Sequence, residues 1–352
     1  MRAYVYTYVT TYGEESAPSP PTVVTGFADA RWYVSLPGSY TGVASPVDRV
    51  RVYRTATADN AYTYRMVAEL PVETVSMEDT VRDDLLPFQP ALPSIDWLPP
   101  PQDLRFLHLH GSGALVGVTG RTIRFSEPYQ PHAWPPSSAY SVPVPVTALA
   151  VFGTSVLIFT RDRPFLLDGV HPSSMALTPL PISVPVETWR AVHTALDAVW
   201  VATRNGILRF DGRGFTNVSA PFIRPDQWEA FDPTVFRLTS HRDMLLCRVG
   251  TARGLAIMQR GDGLYMTDLP EIARADEQIY DLSTDRTYVR LGNDIYELDA
   301  VDTEARRFTW QSQEIVLPAP MSFGVLQVDV RPEGRLPTDP AEPTEPSPPD
   351  AS

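Results

Sequence analysis

The amino-acid sequence predicts an all-β protein: a β-propeller, incomplete or closed at five or six blades, with a fibronectin-III-like sandwich insert before it and a disordered tail after it. Three observations predict this. Proline stands at 36 against 20 glycines in 352 residues, about twice the usual ~5% share, which suits short strands joined by stiff loops. The apolar runs have the length of strands and not of helices. After a proline-rich stretch these runs recur with a period of about 40–45 residues, the spacing of propeller blades.

Residues 1–87 read as the sandwich. Tyr4, Tyr6 and Tyr8 alternate with Val5, Thr7 and Val9, a period of two built from good strand formers. The turn Gly13-Glu14-Glu15-Ser16 and the prolines Pro18, Pro20 and Pro21 end that strand. Residues 50–54 and 64–70 supply two more strands around the polar turn Thr57-Ala58-Asp59-Asn60. Residues 88–101 carry Pro90, Pro99, Pro100 and Pro101, and so many fixed φ angles make a stiff spacer.

Residues 102–330 carry the repeats. Each unit holds three or four short strands, beginning with 106–110, 147–151, 191–193, 236–238 and 278–282. With Phe125, Leu166, Phe210, Met258 and Tyr296 taken as equivalent, the spacings are 41, 44, 48 and 38. One small twisted sheet cannot bury both faces, whereas a ring of sheets shares a continuous core. The competing expectation is a series of unrelated hairpins in one large sandwich. Residues 308–330 read as one more hairpin. Residues 331–352 are Pro, Glu, Asp, Thr and Ser with almost nothing apolar, so a disordered tail is expected there.

The formal net charge is −13, and all 29 basic residues are arginine. An acidic chain does not grip a phosphate backbone by bulk electrostatics, although a like-charged wall can let DNA pass. The arginines are dispersed, with Arg161/Arg163 and Arg306/Arg307 among the few that stand close together, so no basic stripe is expected. The single Cys247 lies in the apolar run Met244-Leu245-Leu246-Cys247; it excludes a disulfide framework and reads as a core residue. The N-terminus has no apolar run near the ~20 residues of a membrane span, so neither a signal peptide nor a membrane anchor is expected.

No catalytic, metal or cofactor site is expected. Gly111-Ser112-Gly113-Ala114-Leu115-Val116-Gly117 has the wrong spacing for a dinucleotide loop and runs into another strand, which makes it a hairpin turn. His108 and His110 would share a strand face, but His132, His171, His193 and His241 carry no ligand spacing to them, and zinc needs three or four ligands. Arg260-Gly261-Asp262-Gly263 is first of all a tight turn. Glu14/Glu15 and Asp83/Asp84 sit in turn-rich contexts, and a glycosidase needs two carboxyls converging over a cleft.

Three stretches are more specific. Tyr4-Val5-Tyr6-Thr7-Tyr8-Val9 with Gly13-Glu14-Glu15-Ser16-Ala17-Pro18-Ser19 resembles the opening of a fibronectin-like insert in phage tail proteins. Phe125-Ser126-Glu127-Pro128-Tyr129-Gln130-Pro131-His132-Ala133-Trp134-Pro135 resembles a signature of the same proteins. Arg163-Pro164-Phe165-Leu166, Gly169 and Pro172-Ser173-Ser174-Met175 resemble a third element. The chain thus resembles, over residues 1–330, the tail nozzle or tail tubular protein B-like family of short-tailed bacteriophages.

The resemblance implies a non-enzymatic virion protein, assembled in the host cytoplasm into a homohexameric ring below the portal and adaptor, with tail fibres as further partners. Double-stranded DNA would leave through the ring's axis without specific binding. It also makes Ser126, Glu127, Pro128, Tyr129, Pro131, His132 and Trp134 a candidate interface, since rigid aromatic loops anchor contacts; the competing expectation is that Tyr129 and Trp134 cover the propeller's own core. Family members are usually longer, so the chain reads as a shortened member, a prophage remnant or a subunit completed by another chain. A propeller-based tail protein that binds or depolymerises polysaccharide is the alternative expectation, and a scaffold for host proteins a third.

Overall fold

A computed structural model describes residues 1–27, 31–40, 46–55, 63–251, 253–258 and 263–300. The expected turn at 57–60, the Arg260-Gly261-Asp262 triplet, the last hairpin (308–330) and the Pro/Glu tail (331–352) lie outside the described residues. Residues 1–300 form one compact unit.

The first six strands are β1 (Arg2–Thr10), β2 (Thr22–Val24), β3 (Trp32–Ser35), β4 (Val47–Thr55), β5 (Tyr64–Pro71) and β6 (Ser76–Asp79). They form a sandwich of two sheets, β2-β1-β4-β5 facing β3-β6. Strand alternation puts Tyr4, Val50 and Val52 on the inner face, where they pack with Leu36, Trp32 and Met77. The fully buried Arg54 closes the end of that core, pairing with Asp79 at 2.7 Å and with Asp83 at 2.5 Å. The Tyr4 hydroxyl donates to Asp79 at 2.7 Å; burial and this bond push its pKa up to about 12.

The connector is bound rather than free-standing. Leu92 covers Val5 and Tyr53 on the outer face of the large sheet. The Met66 amide donates to Pro90 O and the Leu92 amide to Tyr64 O, both at 2.9 Å, so the connector lies along the edge of β5. Proline can take an edge position because it withholds only its own donor.

Five sheets follow in chain order. The first comprises β7 (Arg105–Leu109), β8 (Leu115–Thr119), β9 (Thr122–Phe125) and β10 (Ala139–Ser141). The second comprises β11 (Ala148–Phe152), β12 (Ser155–Phe159), β13 (Phe165–Asp168) and β14 (Ala176–Pro179). The third is β15 (Val192–Ala195), β16 (Ala198–Thr203), β17 (Gly206–Phe210) and β18 (Phe215–Asn217). The fourth is β19 (Arg237–His241), β20 (Met244–Arg248), β21 (Gly254–Met258) and β22 (Leu264–Thr267). The described part of the fifth is β23 (Glu277–Asp281), β24 (Arg286–Leu291) and β25 (Asp294–Leu298).

Every sheet is an antiparallel meander, and its first strand packs on the first strand of the next: β7 on β11, β11 on β15, β15 on β19, β19 on β23. Meanders repeated about a common axis with first strands innermost are a β-propeller. Phe125, Leu166, Phe210, Met258 and Tyr296 all fall in the third strand of successive sheets.

The shared core explains the unbroken apolar runs. In β12 all of Val156, Leu157, Ile158 and Phe159 are buried. Val156 and Ile158 join the cluster with the first sheet, while Leu157 and Phe159 join that with the third. A sheet sandwiched on both faces keeps no polar alternation. Cys247 is part of this core, and burial pushes its thiol pKa up. Two short helices, Pro225–Trp228 and Pro270–Ala273, connect sheets. Among the described residues no helix is long and apolar enough to cross a membrane.

Candidate functional site

The two stretches singled out in the sequence, Gly13–Ser16 and Ser126–Trp134, meet. Gly13 takes φ +84°, a left-handed conformation that favours glycine, and its amide donates to Thr10 O at 2.9 Å. The Glu14 amide donates to Thr10 Oγ1 at 3.1 Å, and the Tyr8 amide to Ser16 Oγ at 2.9 Å, so the turn folds back on β1. Glu15 is buried at 4% exposure. Its carboxylate accepts from Thr7 Oγ1, Tyr53 Oη and Arg51, each at 2.7 Å. Burial, then this bond to Glu15, push the Tyr53 pKa up.

The signature loop is a self-bonded coil. The Leu115 amide donates to Ser126 Oγ at 2.9 Å, and that hydroxyl donates to Glu127 O at 2.9 Å. The Glu127 amide donates to Ala133 O at 2.8 Å. Trp134 donates through Nε1 to Pro131 O at 2.9 Å and through its amide to Leu98 O of the connector at 2.9 Å. His132 donates through Nε2 to Glu15 O at 2.9 Å. A carbonyl only accepts, so the proton sits on Nε2. The His132 ring also meets Trp97 of the connector edge-on, at 5.8 Å.

The expectation of one outward interface therefore changes. Ser126 and Trp134 are buried and bond within this chain. Glu127, Pro128 and His132 are half-buried, Pro131 is exposed, and Tyr129 is 79% exposed. What remains outward is the tip, Tyr129 with Pro131; the base of the loop ties propeller, connector and sandwich together.

A second feature was not legible as a site. The innermost strands, with β24 and β25 of the fifth sheet, line an open axial cavity of about 1050 Å³. Its apolar wall includes Leu149, Val192 and Leu238, and among the described residues its charged lining is Arg105, Arg190, Arg237, Arg290 and one carboxylate, Glu277. Arg190 pairs with Glu277 through both nitrogens and stacks on Trp189, 4.6 Å from the ring centre. Arg237 Nε is sealed from solvent without a hydrogen-bond partner. Burial, with the charges of Arg248 and Arg190, holds the Arg237 pKa below its ordinary value. His193 also faces the cavity, and burial lowers its pKa to about 4. The expectation of dispersed arginines holds for the chain but not for the fold. Arg105, Arg190 and Arg237 each stand at or just before the start of a first strand, which was the available signal.

His108 lines the cavity, while His110 is buried and bonded to Ser112 Oγ at 2.8 Å and Thr154 O at 2.9 Å. Asp83 serves the sandwich's ion-pair network, and Asp84 pairs with Arg82. Among the described residues no group of three metal-ligating side chains converges.

No family model matches the chain, and no curated protein does. Among solved structures it is similar to the extracellular domain of BT4673 from B. thetaiotaomicron, at 15% identity and a TM-score of 0.40, over 60% of this chain and 28% of that one. It is similar to the β-propeller domain of Cps50 (Swd1) from Myceliophteria thermophila, at 11% identity and a TM-score of 0.37, over 58% of this chain and 69% of that one. It is also similar to Hsv2 from Kluyvelomyces marxianus, at 9% identity and a TM-score of 0.40, over 74% and 72%. The propeller assignment rests on this chain's own strand order.

Proposed function

We propose that the chain is a structural subunit of a short phage tail, a nozzle-type protein that forms a ring with copies of itself and lets double-stranded DNA pass into the host. The observation that carries this reading is the contact between two segments with the tail-protein likeness. They lie 117 residues apart, and they meet through His132 and Glu15 O. In this reading the signature loop is a joint that holds an appended β-module at a fixed angle to the propeller. A subunit of a conduit needs that constancy of shape, because each copy must present the same faces to its neighbours.

The DNA path in this reading is the axis between copies. The cavity inside one propeller has room for a drug-sized molecule, and a duplex does not fit between its innermost strands. The tip of the loop, Tyr129 with Pro131, is free to meet an adjacent copy, the portal–adaptor assembly or a fibre. The polysaccharide reading asks for a carboxylate pair over an aromatic-lined pocket on one propeller face; in this cavity the carboxylate among the described residues is Glu277, already paired to Arg190.

The test is negative-stain imaging and light scattering of the purified full chain, alone and with the cognate portal–adaptor complex. A six-fold ring with an open centre is the expected result. A monomer that ignores portal and adaptor, and that binds or shortens capsular polysaccharide, would replace this reading with the depolymerase.

A further inference from the structure

We propose that the axial cavity of the propeller is a binding site for a small organic anion, with a carboxylate or phosphate head and an apolar body. The proposal is independent of the tail reading. It starts from charge. The chain as a whole is acidic, at −13, yet among the described residues this cavity is lined by four arginines and one glutamate. Propeller topology makes this possible, because positions about one blade apart in sequence converge on the axis.

The arginines are not equivalent. Arg190 is committed to Glu277. Arg290 donates to Gly292 O at 2.8 Å, and Arg248, the cross-strand neighbour of Arg237, donates to Ala275 O at 2.8 Å. Among the arginines that line the cavity, Arg237 keeps a buried Nε with nothing to bond; the charges of Arg248 and Arg190 act against it, and those of Glu277 and Asp276 offset them in part. A half-buried guanidinium beside like charges gains from an anion that arrives to neutralise it. Its planar fork suits the two oxygens of a carboxylate or phosphate. The wall beneath is apolar, with Leu238, and Trp189 and Tyr288 are aromatic residues of the same lining. A concave apolar pocket with a few convergent polar groups is the usual architecture of a small-molecule site.

Thermal-shift and calorimetric titrations with phenyl phosphate, benzoate and neutral benzyl alcohol test this. Phenyl phosphate or benzoate should raise the melting temperature of the full chain in a saturable way, and benzyl alcohol should not. Whichever acid binds more tightly identifies the head group. Arg237→Gln should weaken that binding at least about tenfold, the loss expected for charge-assisted hydrogen bonds. The same variant without ligand should melt no lower than the natural chain, since it removes a half-buried cation that stands beside like charges. Glu277→Gln should tighten binding by freeing Arg190, which gives a readout of opposite sign even if the Arg237 variant folds poorly. Equal shifts with benzyl alcohol, no saturable shift with either acid, or binding unchanged in both variants would overturn the proposal.

Discussion

His193 owes its neutrality to its position. The ring lies on an innermost strand, 3.1 Å from Ser240 Oγ of the next sheet, and burial lowers its pKa to about 4. In the unfolded chain the same ring titrates near ~6.5. Between those two values the unfolded state holds more protons, so stability falls as pH drops through that window and the neutral ring's full contribution stands only above it. His108 is shifted in the same direction by burial. Carboxylates held low, such as Glu69 between Arg51 and Arg49, lose their contribution in a more acid range, from about 4 downwards. Urea unfolding at pH 7 and pH 5 should therefore show a loss of about 1–2 kcal/mol on acidification. In His193→Gln, which keeps an amide donor near Ser240, part of that loss should vanish. A slope in the variant identical to that of the natural chain would remove His193 as a cause.

At the scale of the element, strands that bury both faces announced themselves in the sequence, and strands at the rim did not. β9, β17 and β20 begin and end close to where the apolar runs do, because each run is a sheet interior with a turn at either end. The fourth strands β10, β14, β18 and β22 carry Ala-Tyr-Ser, Ala-Leu-Thr-Pro, Phe-Thr-Asn and Leu-Tyr-Met-Thr. They are short and half-exposed, and an edge strand imposes little pattern on its side chains. The signature loop was visible as a motif, but its inward turn was not, because Trp134 is held by Leu98 of the connector and His132 by Glu15 of the sandwich, both distant in sequence. The turn at its foot offers a sharp test. Gly113 takes φ +84°, and a Cβ there would come within 2.6 Å of the Tyr129 ring. Tyr129 is exposed and can swing away, whereas the left-handed backbone cannot be relieved and costs about 1–2 kcal/mol. Gly113→Ala should lose about that much in chemical denaturation, and adding Tyr129→Ala should restore only the steric part. Full restoration by the second change would show that backbone conformation contributes nothing.

For the molecule as a whole, the order of modules was legible and their coupling was not. Periodicity locates sheets and the apolar core they share; the polar ties across the seams are single hydrogen bonds from residues with no pattern of their own. Histidines supply several of these ties: His110 to Thr154 O, His193 to Ser240, and His241 to Thr287 at 3.0 Å each join one sheet to the next. His132 does the same between propeller and sandwich, and the connector adds Leu98 O to Trp134 N and Pro90 O to Met66 N. A connector bonded on both sides transmits unfolding, so sandwich and propeller should melt in one calorimetric transition despite their separate cores. Removing a partner from the seam costs about 1–3 kcal/mol, because Glu15 O loses its donor in a largely buried setting. In His132→Ala the sandwich should therefore lose protection first: the scan should broaden or split, and protease should cut between residues 88 and 101 while residues 102–300 stay intact. A single sharp transition at an unchanged temperature, with no new cleavage in the connector, would mean that the two modules are coupled by the connector alone and that the joint at His132 is incidental to the fold.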